Sequence, residues 1–271
     1  RGVVIMKLTV LLDNNTFIDE YLLGEPALSF YIEDGDQKIL FDTGYSDASM
    51  RNAKTLGIDL SHITTIVISH GHNDHTLGLC YLKENYDLKK ATVIAHPDAF
   101  KEKFFEGQSI GAPFREDQLE SFCKVSFASV PVKVSQNLTF LGEIPELVTS
   151  RRSIGQKLVD GILEDDYVLD DTALVYQKPE GLFIITGCSH SGICNIIEYA
   201  KQVCKEDRIL GVIGGFHLFK VNSELEKTIR YFQDNHIENL YPCHCVSFPA
   251  KAEIHKYIPI HDVYSGLVIE I

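Results

Sequence analysis

The stretch Ser69-His70-Gly71-His72-Asn73-Asp74-His75-Thr76 directly follows a short, β-branched apolar run at Ile63–Ser69. The run is typical of a buried strand, and the residues after it lead into a helix pattern. His70 and His72 are two residues apart, so their side chains point the same way in an extended chain. Imidazole and carboxylate groups together suit zinc, iron or manganese. The stretch therefore predicts a metal site on a strand-to-helix loop, with a solvated histidine-rich turn as the alternative.

Three later segments also place polar side chains where a predicted strand ends. They are Thr186-Gly187-Cys188-Ser189-His190, Gly214-Gly215-Phe216-His217 and Pro242-Cys243-His244-Cys245. Sites in layered α/β folds gather at strand ends, so we expect these ends to lie near the first stretch. A single histidine is more often structural than a ligand. Together with the first stretch, however, the three segments favour a site.

The order of the predicted elements indicates the fold class. Strand patterns come first, at Leu8–Leu12, Ala27–Ile32 and Lys38–Phe41. Strands and helices alternate after Ile63, which predicts an α/β fold of two packed sheets with helices on the outer faces. Residues 106–171 are the least periodic. We interpret 1–271 as a single domain with a loop-rich insertion at that position.

Three local patterns complete the prediction. Helical spacing of apolar residues occurs at Ile193, Ile196, Ile197, Ala200, Val203 and Cys204. Asp98–Phe105 is predicted to be a short helix that begins after Pro97. The acidic pairs at 165–166 and 170–171 are interpreted as a solvated turn.

Composition restricts the partners. The chain has 25 basic and 38 acidic residues and a formal net charge of −13, which argues against nucleic acid because phosphate binding needs a basic surface. No stretch approaches the ~18 apolar residues of a membrane span.

The seven cysteines are scattered and odd in number, so we expect a reducing, cytoplasmic location. Met6, with no cleavable leader pattern before it, is a candidate for the native start. The oligomeric state is left open.

Several motifs of the chain together resemble a known family. His-x-His-x-Asp-His at 70–75 resembles the metallo-β-lactamase superfamily, and Phe41-Asp42-Thr43-Gly44 resembles its first motif, whose aspartate supports the metal-binding loop without binding metal. The stretches 186–192, 214–218 and 241–245 are similar to one branch, the dihydropteroate-synthase-like family of 7,8-dihydropterin-6-yl-methyl-4-(β-D-ribofuranosyl)aminobenzene 5′-phosphate synthase. The resemblance implies an αββα four-layer sandwich, with two mixed β-sheets and helices on both outer faces.

The resemblance also implies a site for two divalent metal ions, zinc with iron or manganese as alternatives. It assigns His70, His72 and His190 to one metal, and Asp74, His75 and His244 to the other. Cys188 stands where most hydrolases of the superfamily have a bridging aspartate. Cys188 either bridges as a thiolate or lines the pocket, and we favour the lining role because a buried free cysteine commonly behaves as a small apolar residue.

The same resemblance implies roles in catalysis. Asp74 orients or deprotonates a water molecule, and His217, which aligns with a pocket-facing position in related phosphodiesterases, donates a proton to a leaving group. Arg151 and Arg152 could hold a substrate phosphate, because arginine suits bidentate contacts, although a solvated surface cluster explains them equally well. Phe104, Phe105 and Phe114 could line a pocket for an aromatic substrate.

We therefore expect a metal-dependent hydrolase that cleaves an ester, a phosphodiester or a similar bond of a small, possibly phosphorylated molecule through a metal-bound hydroxide. The first alternative is a transferase that condenses a pterin with an aminobenzene ribosyl phosphate. The second alternative is a non-hydrolytic, metal-binding redox protein. Diiron oxygen-reducing relatives are disfavoured, since they usually carry glutamate at the position of His72.

Overall fold

The computed structural model describes residues 5–271. The strands are β1 (Lys7–Leu12), β2 (Ser29–Asp34), β3 (Gln37–Phe41), β4 (Thr65–Val67), β5 (Thr92–Ala95), β6 (Lys103–Phe105), β7 (Gln108–Ser109), β8 (Lys124–Phe127), β9 (Val132–Lys133), β10 (Leu138–Phe140), β11 (Gln156–Val159), β12 (Ile162–Asp165), β13 (Ala173–Lys178), β14 (Gly181–Thr186), β15 (Ile209–Gly214), β16 (Leu240–Pro242) and β17 (Val268–Glu270). The α-helices are α1 (Ala48–Thr55), α2 (Asn73–Thr76), α3 (Gly78–Asn85), α4 (Glu116–Glu120), α5 (Ile193–Cys204), α6 (Ser223–Asp234) and α7 (Phe248–His255).

These elements form two compact units. The first unit comprises residues 5–128, Ser153–Asp170 and Tyr264–Ile271, and the second comprises Ser129–Arg152 and Asp171–Val263. Residues 106–171, the predicted insertion, contribute to both units. The single-domain interpretation stays a prediction.

The first unit contains a seven-stranded mixed sheet in the order β17-β1-β2-β3-β4-β5-β8, and a four-stranded sheet in the order β12-β11-β6-β7. β3, β4, β5 and β8 run parallel to one another. The carboxyl ends of parallel strands meet at one edge of a sheet. Asp42 and Ser69, which come just after β3 and β4, therefore lie close together at that edge.

The central strands of the first unit are rich in apolar residues because they lie in its core. Leu40, Ile66 and Val93 of β3, β4 and β5 are fully buried and belong to one apolar cluster. Met50 of α1 and Leu79 of α3 pack into the same cluster. Burial of these side chains is the main favourable contribution to the stability of this sheet–helix layer.

The second unit contains a six-stranded sheet in the order β16-β15-β14-β13-β10-β9, in which β14, β15 and β16 are parallel. Ile184 of β14 and Val212 of β15 pack with Ile197 of α5, Phe232 of α6 and Ile254 of α7. The carboxyl ends of the three parallel strands again meet at one edge. The three polar segments that were predicted to follow strands lie there.

Two local predictions are wrong. The segment predicted as a helix at Asp98–Phe105 is a single 3₁₀ turn, Pro97–Phe100, followed by β6. The acidic segment is not a solvated turn, because Asp166, Asp170 and Asp171 are fully buried. Hydrogen bonds from buried donors offset the loss of hydration that normally keeps carboxylates at the surface.

Across residues 5–271, none of the helices combines the length and the apolar character that a membrane crossing requires.

Candidate functional site

Asp42 is the anchor of the site in the first unit. Its backbone is left-handed, with φ 56°, a conformation that aspartate tolerates better than most residues. Its Oδ1 accepts the backbone N–H of Ser69 at 2.7 Å, and its Oδ2 accepts the Ser69 hydroxyl at 2.7 Å. The same Oδ2 lies 2.6 Å from Nδ1 of His75. One buried carboxylate therefore fixes both the start of the histidine-rich loop and a ring near its end.

The side chains of this loop form two pairs of potential ligand atoms. Ser69 Oγ lies 3.0 Å from Nδ1 of His70, which leaves Nε2 of that ring 3.1 Å from Nδ1 of His72. His75 uses Nδ1 toward Asp42, and its Nε2 lies 3.4 Å from Asp74 Oδ2. Imidazole ligands of metals usually bind the metal through one ring nitrogen and a protein oxygen through the other. Both His70 and His75 have this arrangement.

The backbone of the loop makes two close contacts at Gly71. A Cβ atom at this position would lie 1.9 Å from the carbonyl oxygen of Ala99, so only glycine fits. The Gly71 N–H donates to Oδ2 of Asp170 at 2.7 Å. Lys103 Nζ donates to Asp170 Oδ1 at 2.8 Å and to Asp166 Oδ2 at 2.6 Å, and all three ionic side chains are fully buried.

In the second unit, the turn after β14 is held by two buried side chains. Ser189, with φ 59°, donates its hydroxyl to the carbonyl oxygen of Gly215 at 2.6 Å. Asp171 Oδ2 accepts the backbone N–H of Ser191 at 2.9 Å and also the Ser191 hydroxyl. Cys188 is buried and His190 is half-buried within this turn.

His217 and His244 follow the other two parallel strands, and both have left-handed backbones with φ 51°. The N–H of His217 donates to Sγ of Cys245 at 3.3 Å, and its ring centroid lies 4.5 Å from that of His190. Cys188 and His244 offer potential ligand atoms within 4.8 Å of each other. In the part of the chain that the structure describes, His217 does not belong to a group of potential ligands.

In each of the two units, histidines follow parallel strands at the edge of a sheet where the carboxyl ends of the strands meet. Residues 22–201 match the family model of the metallo-β-lactamase superfamily. The chain belongs to this superfamily. The resemblance seen in the sequence is confirmed.

Relatives of the metallo-β-lactamase superfamily match most of the chain. An uncharacterised protein of Methanocaldococcus jannaschii is 33% identical over 90% of this chain and 92% of its own length. From the same organism, 7,8-dihydropterin-6-methyl-4-(β-D-ribofuranosyl)-aminobenzene-5′-phosphate synthase is 30% identical over 83% of this chain and 82% of its own length. A crystal structure described as a metal-dependent hydrolase of the β-lactamase superfamily is 32% identical, with a TM-score of 0.85 over 98% of this chain and 99% of that one. The predicted metallo-β-lactamase fold is confirmed.

The residues fit the divalent metals of the metallo-β-lactamase superfamily. His70 with His72, and Asp74 with His75, supply nitrogen and carboxylate atoms of the kind that zinc, iron and manganese bind. The identity and number of the metals, and the assignment of each residue to one metal, stay predictions.

The charges of the loop depend on its burial. Burial lowers the pKa of His72 to about 4, and Lys103 adds to the effect, so this ring is neutral at pH 7 and able to bind a cation. Burial also disfavours the charged form of His75, but Asp74 and Asp42 outweigh it and hold the pKa of His75 well above its usual value. A divalent cation would compete with that proton for Nε2.

The two buried aspartates at 170 and 171 differ in charge state. Burial would raise the pKa of Asp170, but Lys103 and the Gly71 N–H lower it to about 2. Burial raises the pKa of Asp171 to about 6, and the hydrogen bonds from Ser191 only partly oppose this effect. The sequence does not indicate that three charged residues support the backbone near the candidate ligands, because polarity in a sequence does not reveal burial. These residues are Lys103, Asp170 and Asp171.

The predicted phosphate-binding arginines have protein partners. The Arg151 guanidinium donates to the carbonyl oxygen of Ile144, and Arg152 pairs with Glu224 of α6. The preceding segment is held by Asn195, whose Oδ1 accepts the backbone N–H groups of residues 147–149 at 2.9, 2.6 and 3.1 Å. The phosphate role stays a prediction.

The three aromatic residues differ in their surroundings. Phe105 is exposed, Phe104 is half-buried, and the Phe114 ring lies 5.2 Å from that of Phe122, with Lys83 Nζ 5.1 Å from its centroid. Their role in an aromatic pocket stays a prediction.

Proposed function

We propose that this protein is a metal-dependent hydrolase of the metallo-β-lactamase superfamily that acts on a small ester, phosphodiester or similar substrate. The observation that carries the proposal is that potential ligand atoms lie close together in two pairs, His70 with His72 and Asp74 with His75. The rings of His70 and His75 are each oriented by a protein oxygen near Nδ1. The solved relative described as a metal-dependent hydrolase supports it.

The chain's own residues have separate roles in this proposal. His70, His72 and His190 would hold one divalent ion, and Asp74, His75 and His244 would hold a second. Bound divalent ions lower the pKa of a water molecule and stabilise negative charge on substrate oxygens. Asp74 would orient an attacking water molecule as a hydrogen-bond acceptor, and His217 would donate a proton to the leaving group.

A transferase that joins a pterin to an aminobenzene ribosyl phosphate is the second candidate. One observation favours it: the relative named as a synthase is 30% identical over 82% of its own length. Such a reaction needs the site to accept an aromatic, phosphorylated substrate, for which Arg151 and Arg152 are candidates.

A substrate panel on protein of known metal content separates the two candidates. The panel contains phosphodiesters, thioesters, lactones, and a pterin substrate paired with an aminobenzene ribosyl phosphate. Turnover of a hydrolysable substrate that is lost in His72→Asn and kept in His62→Ala supports hydrolysis, since His62 is an exposed residue paired only with Asp59. Product formation with the paired substrates alone supports the transferase. Turnover that is equal in His72→Asn and in the wild type contradicts the proposed site.

Metal removal tests the site without a substrate. Ligands that bind only the folded state stabilise it by mass action, by about 2.7 kcal/mol at one hundred times the dissociation constant. Chelation should therefore lower the melting temperature by about 5 °C or more. Identical melting curves before and after verified metal removal would count against a metal site. A coloured iron protein whose spectrum changes on reduction would instead support the redox alternative.

A further inference from the structure

The backbone of the histidine-rich loop is tied to an ion network that lies outside the known motifs. Lys103, from β6, places its ammonium group between Asp166 and Asp170, 2.6 and 2.8 Å from their carboxylate oxygens. All three side chains are fully buried. Buried ions cost free energy that pairing often fails to offset, and apolar residues of similar volume can replace such networks without loss of stability. The stability of the fold by itself therefore does not require ionic side chains at these positions.

Asp170 has a second contact that Asp166 lacks. Its Oδ2 accepts the N–H of Gly71 at 2.7 Å, whereas the other oxygen of Asp166 accepts the N–H of Val168, far from the loop in sequence. Gly71 lies between His70 and His72, so its N–H belongs to the peptide that joins His70 to Gly71. This peptide is one of the two that flank Cα of His70, so its orientation determines the direction in which the His70 side chain leaves the backbone, and Gly71 connects it to His72.

A second close contact restricts the backbone at Gly71. The carbonyl oxygen of Ala99 packs against Cα of Gly71 so closely that even a methyl group would overlap it. The carboxylate holds the N–H and the carbonyl oxygen leaves no space beside Cα, so the two contacts together restrict the positions that Gly71 can adopt. A metal site requires such fixed ligands, since small displacements weaken coordination.

We propose that Asp170 is a positioning residue for the metal-binding loop, which holds the His70–Gly71 peptide through the Gly71 N–H, and that Lys103 orients the Asp170 carboxylate. The proposal rests on the proposed function, in that His70 and His72 are taken as metal ligands. It adds a residue nearly 100 positions away from the motif to the machinery of the site.

The test compares Asp170→Ala with a matched control, Asp166→Asn. Both changes remove one negative charge beside Lys103, but only Asp170→Ala removes the acceptor of the Gly71 N–H. The probe is cobalt(II), whose absorption spectrum reports coordination geometry. In the Asp170→Ala variant we expect the affinity for cobalt(II) to fall by about 10- to 100-fold and the spectrum to change. In Asp166→Asn we expect lower stability with an affinity within about threefold of the wild type.

A second measurement needs no metal. Hydrogen exchange of the Gly71 amide should be fast in metal-free Asp170→Ala and slow in the wild type and in Asp166→Asn. Asp170→Asn, which keeps the shape of the side chain and an oxygen acceptor, replaces Asp170→Ala if that variant does not fold. For it we expect intermediate exchange and intermediate affinity.

The outcomes separate this inference from the proposed function. Equal cobalt affinities and spectra in the position 170 and position 166 variants, or an equally protected Gly71 amide in Asp170→Ala, would overturn the positioning role. A wild-type protein that binds no cobalt contradicts the proposed metal site instead, and the exchange of the Gly71 amide then decides the inference by itself.

Discussion

Asp42 Oδ2 lies 2.6 Å from Nδ1 of His75, and both side chains are completely buried. The same carboxylate accepts two hydrogen bonds from Ser69. Asp42 is therefore the residue whose loss should disturb the loop most. Because the ring nitrogen on the other side of His75 faces Asp74, the carboxylate of Asp42 also determines which nitrogen of His75 is available to a cation.

Asp42→Asn is expected to reduce the free energy of unfolding by about 3 kcal/mol, since it leaves a buried imidazole N–H opposite an amide group that cannot accept all three donors. Asparagine tolerates the left-handed backbone of this position, so the loss reports the hydrogen bonds and not strain. Urea denaturation measures the change. Asp59→Asn, at an exposed carboxylate that accepts a local hydrogen bond from the Ser61 N–H and lies 3.4 Å from the exposed His62 ring, should cost less than about 1 kcal/mol. Equal losses in the two variants would argue against the anchoring role.

The pH dependence of stability should report Asp170. Its pKa in the folded protein, about 2, lies below the ordinary value of 3.8, so its ionised form favours the folded state. This contribution is complete above about pH 4 and is lost as the pH falls toward 2, and it amounts to about 2 kcal/mol. Urea denaturation between about pH 2 and pH 6 measures it. The acid-side slope should be smaller in Asp170→Asn, and an unchanged slope would show that other carboxylates are responsible.

His244 and His217 should differ in their effect on metal content. His244→Asn is expected to lose one equivalent of metal, whereas His217→Asn should keep the full content and slow turnover by about 100-fold as a lost proton donor. Asparagine is chosen because both residues have φ 51°, a region in which alanine would add strain. Elemental analysis of the purified variants, together with their melting temperatures, decides between the roles. Metal loss in the His217 variant alone would reverse the assignment.

Cys188→Ser should keep both metals if Cys188 only lines the wall, because serine nearly preserves the volume of the side chain. The thiol is buried and lies in a group of potential ligands with His244. Loss of a metal equivalent in this variant would show that Cys188 is a ligand, since a metal-bound thiolate cannot be replaced by a neutral hydroxyl. Cys80→Ser, at a half-exposed thiol of α3, is the matched control for the effect of the substitution itself.

Much of the fold was predictable because its signals are local. The helical spacing at Ile193, Ile196 and Ile197 predicted α5, and these side chains are buried in the core of the second unit. The placement of the histidine-rich loop after β4 followed from the apolar run at Ile63–Ser69, and the structure confirms it. Both patterns lie within a few residues of the feature that they predict.

The supporting contacts of the site were not predictable for the opposite reason. Lys103 and Asp170 are 67 residues apart, and nothing near either residue indicates that the two meet in the interior. The acidic character of the segment instead suggested a solvated turn. Burial of a charged side chain depends on partners from distant parts of the chain, so a single sequence contains no local sign of it.

The contacts of Asn195 have a consequence for proteolysis. Leu147 and Val148 are exposed apolar residues in a segment without regular secondary structure, which is the kind of site that proteases attack first. Cleavage requires the segment to leave its neighbours and extend into the protease, yet its consecutive N–H groups all donate to one buried amide oxygen. In limited proteolysis we therefore expect this loop to resist cleavage about as well as a β-strand of a sheet. The first cut should occur elsewhere in the chain.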